Sequence, residues 1–161
     1  MREEDCIALL RQAGSSPGVI AHCRAVRDLA LTYASDPLID RDLVEAGALL
    51  HDIGRGVTHD IHHAEVGAEI CRSFGLDEAV VAIVERHIGA GLTADECSLL
   101  NLLPRDCIPR TAEEKIVAHA DNLVKGTRVI TLDERLLHAI DLPVGQRRRI
   151  YRLGLEVELF R

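Results

Sequence analysis

The sequence predicts an all-α fold, and two observations support this prediction. Helix signals recur along the whole chain, because N-cap residues precede segments whose apolar residues follow three- and four-residue spacing. Strand signals, in which apolar and polar residues alternate, are nearly absent. The 161 residues contain no internal repeat, low-complexity segment or interdomain linker. We therefore expect residues 1–161 to form a single helical domain.

Five helices are predicted in the first half of the chain, where glycines, prolines and N-cap residues mark the boundaries. Gly14 ends the first helix, and Pro17, which follows two serines, begins the second. Asp40 and Asp77 are N-cap candidates for the third and the fifth. The predicted spans are 3–13, 17–34, Asp40 to the glycines at 54 and 56, 62–74, and 77–88.

Four further helices are predicted in the second half. Thr93 and Glu96 fit a capping box that opens a short helix. Thr111 and Glu114 fit a second capping box, and the helix that it opens is expected to reach Lys125. Residues 101–110 contain two prolines and are expected to form a loop. The last two helices are predicted at 133–140 and 143–159.

Composition excludes several classes of partner. A net charge of −7 and an aromatic content of 2% disfavour nucleic acid and anionic membranes. The one basic run, Arg147 to Arg149, is expected on a solvated face. The five cysteines are scattered without a C-x-x-C motif and are expected to be reduced, and no signal or transmembrane segment is evident. We expect a cytoplasmic protein, and the sequence indicates no particular oligomeric state.

Three histidines lie within apolar stripes of predicted helices. His22 falls in the stripe of the second helix, His63 at the centre of the stripe of the fourth, and His87 in the stripe of the fifth. A lone histidine on an apolar face is usually a core residue with a hydrogen-bond partner. Three of them, together with a His-Asp pair, favour a metal site, because burying polar groups without partners is costly.

The remaining candidate ligands are less clearly placed by spacing. The pair His51 and Asp52 falls in the last turn of the third helix, where the face is poorly defined. Asp121 lies at one edge of the apolar stripe of the 111–125 helix, and His119 lies at the opposite edge. Periodicity alone does not choose between Asp121 and His119.

The order of these residues resembles that of a known family. His22, then His51-Asp52-Ile53-Gly54-Arg55, then Asp121 is similar to the H…HD…D signature of the HD-domain metal-dependent phosphohydrolases. With His63 and His87 included, the order resembles the six-ligand branch of that family. The resemblance covers residues 18–130, including the strings LLHDIGR, HHAEVGAEI, IVERHIGAGL and EEKIVAHADNLVKGTR. It matches Asp121, and not His119, to the family motif.

This resemblance implies an HD-domain helical bundle that holds two divalent metal ions. His22, His51, Asp52 and Asp121 would surround one ion, and Asp52 would bridge to a second ion held by His63 and His87. His51 and Asp52 would thus lie at the catalytic centre. Imidazole and carboxylate ligands suit Fe(II) or Mn(II), with Co(II) or Ni(II) as further possibilities, better than Mg(II).

Basic residues near the motif are candidates for binding a phosphate. Arg55 follows the His-Asp-Ile-Gly turn directly, and a guanidinium matches a phosphate group bidentately. Lys125 and Arg128 lie just beyond Asp121 and are the next candidates. Lys115 is expected to form a salt bridge with a neighbouring helix, and no general acid for the leaving group is evident.

The resemblance favours hydrolysis of a small phosphorylated metabolite by a metal-activated water. Among archaeal HD proteins, the chain resembles the group that contains the iron-dependent cyclic phosphodiesterase of methanopterin biosynthesis. That likeness favours a 2′,3′-cyclic phosphate as substrate. A nucleotidase or dinucleoside polyphosphatase is the alternative, and an HD-type di-iron oxygenase is a second one. A sensor without turnover is disfavoured by the intact ligand set.

Overall fold

Nine α-helices, one 3₁₀ turn and a two-stranded hairpin make up the structure, a computed structural model that describes residues 1–161. The helices are α1 (Glu3–Gln12), α2 (Pro17–Tyr33), α3 (Arg41–Leu50), α4 (His63–Ser73), α5 (Glu78–Arg86), α6 (Ala94–Leu99), α7 (Ala112–Asn122), α8 (Leu132–His138) and α9 (Val144–Glu158). The 3₁₀ turn is Ile53–Gly56, and the strands are β1 (Val124–Lys125) and β2 (Arg128–Val129). The all-α prediction is confirmed.

Side-chain caps fix where several helices begin. Asp40 accepts a hydrogen bond from the backbone N–H of Leu43, and Asp77 accepts one from that of Ala79. Thr93 forms the predicted capping box with Glu96. These caps explain why the predicted starts of the helices agree with the structure to within one or two residues.

Three helices that carry candidate ligands end earlier than predicted. Helix α3 stops at Leu50, and the motif continues as the 3₁₀ turn instead of reaching Gly54 in α-helical form. Helix α5 stops at Arg86, so that His87 is its C-cap. Helix α7 stops at Asn122, because the chain there turns into the hairpin. The hairpin was not predicted, because its two-residue strands are too short to show alternating polarity.

Two aliphatic clusters form the core, as the scarcity of aromatic residues requires. One cluster joins α2, α3, α5, α7 and α9, and the other joins α1, α2, α3, α4 and α5. Helices α2, α3 and α5 contribute to both clusters and hold them together. Four of the five cysteines are buried. None of the helices combines the length and the apolar character needed to cross a lipid bilayer.

Two ion pairs tie the helices around α7. Arg86, at the end of α5, donates from Nη1 to both carboxylate oxygens of the buried Glu114 at 2.9 Å, which links α5 to α7. Lys115 pairs with Glu156 of α9 at 2.6 Å, which confirms the salt bridge expected for it. Because Arg86 directly precedes His87, the first pair also holds that histidine in place beside α7.

Candidate metal centre

Six side chains from five helical segments meet at one point of the bundle. His22 comes from the middle of α2, and His51 and Asp52 follow the last turn of α3. His63 begins α4, His87 caps the end of α5, and Asp121 lies in the last turn of α7. Four of the six side chains are buried, namely those of His51, Asp52, His63 and His87. The structure therefore brings together all six residues that the sequence singled out as metal ligands.

One half of this centre contains His22, His51 and Asp121. The Nε2 atoms of His22 and His51 lie 3.0 and 3.3 Å from Oδ1 of Asp121. The same two nitrogens lie 3.8 and 3.6 Å from Oδ2 of Asp52. Two imidazole nitrogens thus face one oxygen from each of two carboxylates.

The other half contains His63 and His87. Their Nε2 atoms lie only 3.1 Å apart, at 3.2 and 3.4 Å from Oδ1 of Asp52. The carboxylate of Asp52 therefore faces one half of the centre with Oδ1 and the other half with Oδ2.

Backbone carbonyls fix the orientation of all four imidazoles. Nδ1 of His22 donates to the carbonyl of Gly126, and the other three histidines donate to carbonyls three residues earlier, all at 2.7 Å. A carbonyl only accepts, so each Nδ1 carries a proton, and in the neutral imidazole each Nε2 directs a lone pair at the centre. Such an outer hydrogen bond is typical of metal-binding histidines.

Converging lone pairs of this kind require a cation or shared protons. Nε2 of the fully buried His51 and Oδ1 of Asp52 have no hydrogen-bond donor. Two neutral imidazoles could not approach to 3.1 Å through their lone pairs without a positive charge between them. The donor set of four nitrogens and two carboxylates therefore fits divalent transition metals.

The pKa values of the two carboxyl groups, Asp52 and Asp121, also indicate that positive charge is favoured at this centre. Burial alone would raise the pKa of Asp52, but the charge of His51 and the neighbouring imidazoles of His63 and His87 hold that pKa well below its usual value. The pKa of Asp121 is lowered in the same way, against burial, by His51 and His22. Without a metal, the two carboxylates remain ionised and attract protons to His22 and His51.

The histidine pKa values separate according to their neighbours. Burial opposes the charged form of His51, but the nearby carboxylates raise its pKa well above the usual value. Burial opposes the charged form of His22 as well, but the hydrogen bond with Asp121 and the charge of that carboxylate together raise the pKa of His22. Burial dominates at His87 and lowers its pKa.

A cavity of about 310 Å³ opens onto the centre and contains two of the three predicted phosphate-binding residues. Arg55 and Lys125 line it together with His63, His87 and Asp121, whereas Arg128 does not. Nε of Arg55 lies 2.8 Å from Oδ2 of Asp52, so the guanidinium is already engaged with the central carboxylate.

Three residues of this cavity were not singled out by sequence reasoning. Arg135, Asn122 and His138 line it. Arg135 reaches the cavity because it hydrogen-bonds Asn122 at the end of α7, and no local pattern in α8 signals that contact. The carbonyl of Gly126 was missed as well, since it belongs to the unpredicted hairpin.

His119, which the family motif does not include, lies away from the six converging residues. Its ring is fully buried and packs edge-on against Tyr33, with ring centroids 5.4 Å apart. Its Nε2 lies 3.6 Å from a carboxylate oxygen of Glu158. The side chain thus belongs to the packing of α2, α7 and α9 and contacts none of the six converging residues.

Comparison with known proteins identifies the family of this chain. The sequence model of the HD domain matches residues 19–126. An uncharacterised protein of Methanocaldococcus jannaschii is 47% identical over 139 residues, covering 83% of this chain and 82% of that protein. A tRNA (cytidine(56)-2′-O)-methyltransferase of Thermoplasma volcanium is 48% identical over 132 residues, covering 82% of this chain but 39% of the methyltransferase. The chain thus spans about two-fifths of the length of that relative.

A solved structure shares the architecture. The HD domain of the L. monocytogenes phosphodiesterase PgpH, in complex with cyclic-di-AMP, superposes with a TM-score of 0.57. The match covers 94% of this chain and 95% of that domain, at 18% sequence identity. At this level of identity the likeness establishes a common fold.

Proposed function

Because the chain belongs to the HD-domain family, we propose that it is a divalent-metal-dependent phosphohydrolase acting on a small cyclic phosphodiester of the 2′,3′-cyclic phosphate type. The observation that carries the proposal is the position of Asp52. Its two oxygens face two separate sets of imidazole nitrogens, at distances of 3.2 to 3.8 Å. This arrangement suits a carboxylate that bridges two metal ions.

The donor set supports transition metals as the ions. Four imidazoles would account for most of the ligands, and hard cations such as Mg²⁺ and Ca²⁺ prefer oxygen. We expect Fe(II) or Mn(II), with Co(II) or Ni(II) as substitutes, at about two ions per chain. When bound, such ions would lower the pKa of a water that attacks phosphorus and would offset the negative charge of the phosphoryl oxygens.

The side chains of the cavity would orient the substrate. Lys125 and Arg55 supply positive charge where a phosphate would enter. Arg55 would also hold Asp52 in position through its 2.8 Å contact. The carbonyls that bond each Nδ1 keep the imidazoles in the ligating tautomer throughout.

Cavity size and charge support a small substrate. A cavity of about 310 Å³ lies at the low end of the range for small-molecule sites. A net charge of −7 provides no extended basic surface for a polynucleotide. In the proposed reaction, water adds to phosphorus, one ring P–O bond breaks, and the released oxygen takes a proton to give a monoester.

A substrate panel tests this function. Anaerobically purified protein is loaded with Fe(II) or Mn(II) and assayed against nucleoside 2′,3′-cyclic phosphates, cyclic-di-AMP, nucleoside monophosphates and dinucleoside polyphosphates. We expect opening of the cyclic phosphates and loss of this activity in Asp52→Ala. Turnover of monophosphates or polyphosphates alone would make the protein a nucleotidase or dinucleoside polyphosphatase instead. Oxygen consumption without phosphoester turnover would favour the oxygenase.

A further inference from the structure

A second cavity of about 440 Å³ lies directly beside the metal centre. Ile88, Gly89 and Arg135 line both cavities, so the two spaces adjoin across these residues. The outer walls come from the end of α6, with Leu99 and Leu100, and from the segment that opens α9. A group that extends from the metal centre past Arg135 would therefore enter this second cavity.

The walls of the second cavity are largely apolar. Leu99 is 84% exposed and Leu100 is 38% exposed, which leaves apolar surface facing the space. Glu96 also lines the cavity, but its carboxylate is engaged by Arg149 at 2.5 Å and by the N–H of Thr93. The side-chain amide of Gln146 makes no hydrogen bond within the protein and can still donate and accept.

Arg135 is the charged group at the boundary. Its Nε donates to Oδ1 of Asn122 at 3.1 Å, and Nδ2 of Asn122 donates to the carbonyl of Gly89 at 2.8 Å. These bonds hold the guanidinium in place, yet no carboxylate lies within ion-pairing distance of it. Arginine keeps its charge in proteins, so its two Nη groups remain available to an anion.

We propose that the second cavity binds the organic group of the substrate while Arg135 binds the phosphate attached to it. This inference rests on the proposed function, since it concerns the same reaction at the same centre. The class of ligand is a nucleoside-sized phosphoester whose neutral heterocyclic ring lies between aliphatic walls. Gln146 would provide one donor and one acceptor for the edge of that ring, and the volume suits a group of this size.

Binding measurements on metal-free protein test this subsite without depending on turnover. Calorimetric titrations compare 5′-AMP, ribose 5-phosphate and adenosine as probes. We expect 5′-AMP to bind the parent protein at least about tenfold more tightly than ribose 5-phosphate does. Arg135→Gln should weaken 5′-AMP by about tenfold and leave adenosine unchanged. Equal affinity for 5′-AMP and ribose 5-phosphate would overturn the proposal.

Variants that place a bulky side chain in the second cavity provide a second test. Leu100→Trp and Gln146→Trp should each abolish the preference for 5′-AMP over ribose 5-phosphate. Leu155→Trp is the matched control, because Leu155 is 51% exposed on α9 and does not line the cavity. Each variant is first checked by circular dichroism, and using two positions keeps the test decisive if one fails to fold.

The outcomes separate this inference from the proposed function. A preference for 5′-AMP that both filling variants abolish supports the subsite even if the substrate panel shows no phosphoester hydrolysis. A preference that survives in both filling variants overturns the subsite even if cyclic phosphates are hydrolysed. A fall in sedimentation mass in Leu100→Trp, with probe binding unchanged, would show that a second copy of the chain covers the cavity and would also overturn it.

Discussion

Gly54 lies so close to His63 that a side chain cannot be placed between them. A Cβ atom on Gly54 would lie 1.9 Å from the carbonyl oxygen of His63 and 2.8 Å from the backbone nitrogen of Gly67. The glycine of the His-Asp-Ile-Gly turn thus allows the start of α4 to approach the 3₁₀ turn. That approach places the imidazole of His63 at 3.2 Å from Asp52.

Gly54→Ala should therefore damage the centre without removing a ligand. Backbone atoms cannot yield to a methyl group as a flexible side chain does, so α4 must shift, at a cost on the order of 1–3 kcal/mol. We expect lower stability in denaturant titrations and weaker binding of metal at the half that contains His63. Gly18→Ala is the control, since a Cβ there would meet only the hydroxyl of Ser16 at 3.8 Å. Equal effects of both changes would contradict this role.

The hairpin turn at Gly126 orients His22, and its backbone conformation favours glycine. Gly126 has φ +64°, and a Cβ there would meet no atom within 4 Å, so a substitution would act through the backbone alone. Gly126→Val should cost roughly 1–3 kcal/mol and weaken metal binding. Gly126→Asn should be milder, because asparagine tolerates this region. Metal affinities of the two variants check the order, and a milder effect of valine would refute the explanation.

The histidines of α4 and α5 should determine whether a second ion binds. We expect about two ions per chain in the parent protein, falling toward about one in a double variant that combines His63→Ala with His87→Ala. His62→Ala is the control, because His62 is only partly buried and bonds Asp60 at 3.0 Å, outside the converging set. Elemental analysis of anaerobically purified protein gives the counts. One ion in both the parent and the double variant would mean that the two histidines have a structural role.

Metal affinity should rise with pH. The pKa values of His22 and His51 are raised by the neighbouring carboxylates, so below those values both imidazoles carry protons that prevent ligation. Metal must displace these protons, so affinity increases as pH rises through the raised pKa values and binding releases protons. Titration calorimetry in buffers of different ionisation enthalpy measures that release. Proton uptake on binding, or affinity that falls with pH, would contradict the assignment.

The core thiols should resist alkylation in the folded protein. Burial raises the pKa of Cys71 to about 12 and that of Cys6 to about 11. At about pH 8 almost none of either thiol is ionised, and the thiolate is the reactive form. Mass spectrometry after iodoacetamide treatment should find both unmodified until guanidinium unfolds the chain. Rapid labelling of Cys71 under native conditions would show that α4 is less tightly packed than described.

The helical bundle could be predicted from the sequence because its signals are local. Capping residues such as Asp40 and Thr93 act on the first turn that follows them, and an apolar stripe is defined by one helix alone. The positions of His22, His63 and His87 within such stripes were sufficient to predict that they face the interior. The choice of Asp121 over His119 needed the family motif, since the two residues occupy opposite edges of one stripe.

The parts that were missed depend on contacts between distant segments. The hairpin has strands of two residues, which is too short for an alternating pattern, yet its turn supplies the carbonyl of Gly126 to a histidine 104 residues earlier. Arg135 of α8 borders the cavity, and its hydrogen bond to Asn122 joins α8 to the end of α7. Neither contact has a signature within its own segment.

Anomalous diffraction from crystals grown with Mn(II) would show directly whether two metal ions share the carboxylate of Asp52. Two peaks are expected at roughly 3.5–4 Å from each other, as in other dinuclear sites. One should lie between Oδ1 of Asp52 and the imidazoles of His63 and His87, and the other between Oδ2 and the remaining ligands. A single peak, or peaks that do not share Asp52, would contradict the dinuclear centre on which the proposed hydrolysis depends.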